Sequence, residues 1–126
     1  AAPSGTRRLL FEAYDEEAYL EGAKQEIVLQ FEEMNTSNLY FAKKSLRKIL
    51  RYAAKIIRFS GSAETEVRLL LFFCSTLKAS GIPFETNPVI NNMYQNQLKK
   101  IRKAVSGMHE DLQYEYVKEL DRLSSI

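Results

Sequence analysis

The segment EVRLLLFFCSTLKAS, residues 66–80, carries apolar side chains around most of a helical circumference and is then stopped twice, by Gly81 and by Pro83. A helix of that kind must be packed by neighbours on several sides, because a surface helix keeps one polar face in water. Gly81 suits the left-handed residue that closes a helix, and proline cannot continue one. The rest of the chain must therefore supply apolar faces for this segment to rest on. It does so in four further segments of helical spacing, and no run alternates apolar and polar residues in the manner of a half-buried strand.

Local punctuation predicts where those segments begin and end. Asp15 is expected to cap a first helix over about residues 16–34, with Glu16 and Glu17 at the positive end of its dipole and Tyr19, Ala23, Ile27, Phe31 and Met34 as its buried stripe. The polar cluster NTSN at 35–38 breaks the pattern, and Ser37 or Asn38 starts a second helix that runs to about Phe59 and ends at Gly61. Ser62 caps the third. Asn87 followed by Pro88 starts a fourth, through about Ser106, with Ile90, Tyr94, Leu98, Ile101 and Val105 facing inward. Gly107 marks a break before a short fifth helix whose stripe is Leu112, Tyr116, Leu120 and Leu123. The expected architecture is all-α, an irregular five-helix bundle around a central apolar helix, with residues 15–126 as a single helical domain.

A chain of 126 residues with a net charge of +2 and 45% hydrophobic residues has the size and balance of one globular domain. The net charge is too small for the whole-molecule field to drive association with a polyanion, so any electrostatic role must come from local segregation. The lone Cys74 excludes an intramolecular disulfide and lies among leucines and phenylalanines, as a small buried hydrophobe would. The longest apolar run falls far short of the ~20 residues that span a bilayer. Residues 1–14 open without Met and are expected to be a cut or processed end, or an extension, which would leave a removed signal or further domain out of sight.

Segregated charge is present. KKSLRKILRYAAKIIR, residues 43–58, holds seven Lys or Arg and no acid. At about 100° per residue these cations fall within an arc of roughly 140°, opposite Leu46, Ile49, Leu50, Ile56 and Ile57. Lys44, Arg47, Lys48, Arg51, Lys55 and Arg58 are therefore the candidate anion-binding face, joined by Lys99 and Lys103 of the fourth helix. Three observations favour a solvated face instead. The apolar stripe is needed by the core, residues 12–33 carry eight acids against Lys24 alone, and the basic fourth helix is followed by Glu110, Asp111, Glu115, Glu119 and Asp121. Acidic and basic helices thus alternate, and complementary flanks that fix helix order account for the pattern.

His109, beside Glu110 and Asp111, is the only histidine. Adjacent helical residues point about 100° apart, so these three do not converge on one ion, and the trio fits the start of a helix. Seven Tyr and seven Phe suit core packing, with Tyr19, Tyr52, Tyr94 and Tyr116 on or beside the buried stripes. No phosphate loop, nucleophile elbow or Cys-x-x-Cys pair is present. No catalytic residue, metal or cofactor is expected.

GIPFETNPVINNMYQNQLKKIRKAVSGMHEDLQYEY, residues 81–116, resembles uncharacterised all-helical bacterial proteins, through Asn92, Met93 and Tyr94, then Gln97, Leu98, Lys100 and Ile101, then His109 to Tyr114. The resemblance implies a bacterial origin and a cytoplasmic setting, and it brings no activity with it. The expected function is that of a non-enzymatic domain acting through an unidentified protein partner. The alternative is a weak binder of nucleic acid or an anionic surface.

Overall fold

The computed structural model describes residues 4–124, with side chains from Asp15 onward, and no strand is found among them. Five helices follow one another: α1 (Ser4–Glu32), α2 (Leu39–Ser60), α3 (Ala63–Ala79), α4 (Pro88–Ser106) and α5 (Glu110–Ser124). A single 3-10 turn at Phe84–Thr86 precedes α4. The all-α bundle expected from the spacing is the fold observed. The first three residues of the expected N-terminal extension lie outside the described range.

Side-chain caps set most of the boundaries. The Asn38 amide oxygen accepts from the Tyr40 N–H at 2.9 Å and opens α2. Gly61, at φ 63°, closes it by sending its N–H to the Ile57 carbonyl. The Ser62 hydroxyl accepts from the Thr65 N–H at 3.2 Å to begin α3. Asn87 accepts from both Val89 and Ile90 at 3.1 and 3.2 Å, with Pro88 occupying the first helical position, where its missing N–H costs nothing. One expected cap is absent: Asp15 lies inside α1, which begins at Ser4. Between Thr6 and Asp15 there is no Gly or Pro, so nothing turns the chain out of the helix for Asp15 to cap.

α1, α2 and α3 pack on one another, and so do α3, α4 and α5. α3 is therefore common to two three-helix groups. Val67, Leu69, Leu70, Leu71, Phe73, Cys74 and Leu77 are all buried, and the Phe73 ring lies 5.9 Å from that of Phe31 on α1. The burial is not complete: Arg68, Phe72, Ser75 and Ala79 recur every three or four residues along a stripe that reaches solvent.

Two of the expected stripes are shifted. On α1 the inward position is Leu20, at 1% exposure, while Tyr19 stands 44% exposed. On α5, Leu120 and Leu123 are buried but Leu112 is 39% exposed, because α5 meets α3 and α4 mainly through its C-terminal half. Ile82 and Phe84, in the connection between α3 and α4, join the core, and the Phe84 ring sits 4.7 Å from Tyr94.

Candidate functional site

The expected anion-binding face is assembled by α2 alone. Ala42, Leu46, Ile49, Ala53 and Ile56 point into the core and fix the rotation of the helix. Lys44, Arg47, Lys48, Arg51, Lys55 and Arg58 are consequently exposed, on the side away from the bundle. Between residues 44 and 58 the only other exposed position is Ala54. The Lys44 ammonium lies 4.8 Å from the centre of the Tyr40 ring. At the two ends of the helix Phe41 and Phe59 are also exposed.

No described acid covers this face. Among the described residues the ion pairs within 4 Å join Arg68 to Glu17 and Arg122 to Glu119, and none involves a cation of α2. Two acids of α1 reach α3 instead: Glu16 accepts from the buried Thr65 hydroxyl at 3.1 Å, and Glu17 takes both arms of the Arg68 guanidinium. That guanidinium holds the Glu17 carboxyl below its usual range, through the hydrogen bond first and its charge second. Among the described residues the expected pairing of acidic α1 with basic α2, and of α5 with α4, is thus not made by ion pairs. α4 reaches the end of α5 through a neutral group, with Arg102 donating to the Ser124 hydroxyl.

Lys99 and Lys103 are exposed on α4, but α2 and α4 belong to different three-helix groups with α3 between them. The structure does not bring the two basic sets together through helix-to-helix packing.

His109 occupies the residue before α5, where its exposed Nδ1 accepts from the Asp111 N–H at 3.4 Å. It acts on the start of the helix, as its place in the sequence suggests. Among the described residues no three His, Cys, Asp or Glu side chains gather where a metal ion could be held. Cys74 is fully buried, and burial pushes its thiol up to about 12, so it is a poor nucleophile at neutral pH. Tyr94 is also buried, with its hydroxyl donating to the Leu123 carbonyl at 2.6 Å. Tyr52 and Tyr116 are half-buried, and Tyr116 donates to Glu64 at 3.2 Å.

A second surface feature was not legible as a site in the sequence. The solvent-facing stripe of α3 forms the floor of a shallow groove against α1, lined by Glu21, Lys24, Gln25, Val28, Leu29 and Phe72. The groove extends over Arg68, Leu71 and Ser75 toward Glu119 of α5. Leu29 is 50% exposed here, and the Lys24 ammonium stands 5.5 Å from the centre of the Phe72 ring. Only the packing of helices distant in sequence makes it, so no periodicity announces it.

The chain matches no protein-family model, no curated protein and no solved structure. No helix among the described residues is long and apolar enough to cross a membrane.

Proposed function

We propose that this chain is a non-enzymatic helical domain of a bacterial cytoplasmic protein, acting through contact with another protein. The observation that supports it is the α1–α3 groove, where Leu29 and Phe72 offer apolar surface inside a polar rim. An apolar centre with a charged border is the anatomy of protein–protein contacts. The rim carries both signs, Glu21 and Lys24 on α1 with Arg68 on α3, so it favours neither a bare anion nor a bare cation. An apolar side chain of a partner protein, seated against Phe72, fits that mixture. The bacterial and cytoplasmic setting rests on the resemblance of residues 81–116.

Affinity purification from the native source, run in parallel with wild type and Leu29→Glu, tests the proposal. A protein retained by wild type in near-stoichiometric amount should be lost with Leu29→Glu and kept with Arg47→Gln. A stoichiometric partner indifferent to Leu29→Glu, or no protein partner at all, would overturn it.

A further inference from the structure

The outer face of α2 has a composition that folding does not demand. Six of the seven exposed positions from 44 to 58 are Lys or Arg, and no acid occurs anywhere between Leu39 and Ser60. On a helix surface, like charges three or four residues apart repel. Here Lys44 faces Arg47 and Lys48, Arg51 faces Arg47, Lys48 and Lys55, and Lys55 faces Arg58. None of these cations has an ion-pair partner among the described residues. Glutamate or glutamine at half the positions would leave the buried stripe untouched and remove the repulsion. The face is therefore built at a cost that no ion pair among the described residues offsets, and a ligand of opposite charge would offset it.

The shape of the face selects among anionic ligands. Lys44 and Arg58 are separated by fourteen residues, about 21 Å along a helix axis. Around the axis these six cations fill an arc of roughly 100°, from Arg47 on one flank to Lys48, with Lys55 beside it, on the other. A flat bilayer meets only the crest of so convex a surface. Nor can α2 insert its apolar stripe into lipid, because Leu46, Ile49 and Ala53 are fully buried in the core. A concave ligand with an anionic rail on each side engages both flanks at once. The major groove of duplex DNA, about 12 Å wide and bordered by two phosphate backbones, admits an α-helix. The corresponding groove of duplex RNA is too deep and narrow.

We propose that the outer face of α2 binds duplex DNA without sequence preference, with Lys44, Arg47, Lys48, Arg51, Lys55 and Arg58 contacting phosphates on both sides of the major groove. With all six cations engaged on phosphates, the face has no hydrogen-bonding side chain left to read base edges. The surface is distinct from the α1–α3 groove, so the fate of one reading does not decide the other.

Fluorescence anisotropy with a labelled mixed-sequence DNA duplex, across a series of low to physiological salt concentrations, tests this. For six phosphate contacts the logarithm of affinity should fall against the logarithm of salt with a slope of about −5. Arg47→Gln/Arg51→Gln/Arg58→Gln should reduce the magnitude of that slope by about three, at roughly one per contact. A Lys44→Gln/Lys48→Gln/Lys55→Gln variant should do the same, and circular dichroism should show both as helical as wild type. Lys99→Gln/Lys103→Gln should leave the slope unchanged. The proposal fails if duplex DNA does not bind at low salt or if both α2 variants keep the wild-type slope. It fails equally if duplex RNA or single-stranded DNA binds more tightly, or if phosphatidylserine vesicles bind where DNA does not.

Discussion

The Tyr94 hydroxyl donates to the Leu123 carbonyl at 2.6 Å, tying the middle of α4 to the last turn of α5. Carbonyls at the end of a helix have no partner within it, and this one is buried beside a fully covered leucine. Tyr94→Phe keeps the ring and its contact with Phe84 but leaves that carbonyl unpaired. The expected loss is about 1–3 kcal/mol, with faster hydrogen exchange concentrated in the last turn of α5. Urea denaturation and amide exchange measure the two effects. An unchanged exchange rate at the end of α5 would show that the bond does not hold it.

Alkaline pH should destabilise the protein in a defined window. The Cys74 thiol and the Tyr94 hydroxyl are both pushed up to about 12, chiefly by burial, from ordinary values of 9.0 and 10.0. Above pH 9 the unfolded chain releases these protons while the folded chain keeps them, so stability falls as pH rises. Well below pH 9 neither group contributes a slope. Melting temperature followed from pH 8 to 11 should decline only in the upper part of that range, and Cys74→Ala or Tyr94→Phe should each make the decline shallower.

Phe73→Ala should cost about 3–5 kcal/mol and Leu70→Ala about 2–5, since both side chains are buried on the helix shared by the two groups. Leu112→Ala, on an exposed part of α5, should cost under ~1 kcal/mol. Chemical denaturation of the three variants checks the order. Equal losses would contradict the burial pattern.

Gly81 adopts φ +82°, and a Cβ placed there would meet nothing within 4 Å. Gly81→Ala is thus a conformational test without a clash, expected to cost about 1–2 kcal/mol. Gly107, at φ −92°, asks for nothing special, and its replacement by Ala should fall within about 0.5 kcal/mol of wild type.

What could be foreseen from the chain divides by range. Asn38, Ser62 and Asn87 cap helices through bonds spanning two or three residues, so short motifs sufficed to place them. The basic face of α2 was equally legible, since exposure is the complement of a clear apolar stripe. Tyr19 and Leu20 both stand at helical spacing to Ala23, and only the packing of α1 on its neighbours decides which of them faces inward. Ile82 and Phe84 lie in a connection with no periodicity and are drawn inward by Leu77 and Tyr94 on either side. Charge sums suggested that α1 would neutralise α2, yet rotation of α1 aims Glu16 and Glu17 at Thr65 and Arg68 of α3. The groove over Phe72 depends on helices distant in sequence, which is why no local signal marks it.

Because α3 belongs to both three-helix groups, neither group can open and leave the other intact. Detaching α1 and α2, or α4 and α5, would strip one side of a helix whose apolar surface runs most of the way round, and expose Leu69, Phe73 and Leu77 to water. The molecule has no seam along which it divides into autonomous halves. Its unfolding should accordingly be all-or-none, with the slowest-exchanging amides in α3, and neither a 1–62 nor an 80–126 fragment should hold a stable structure alone.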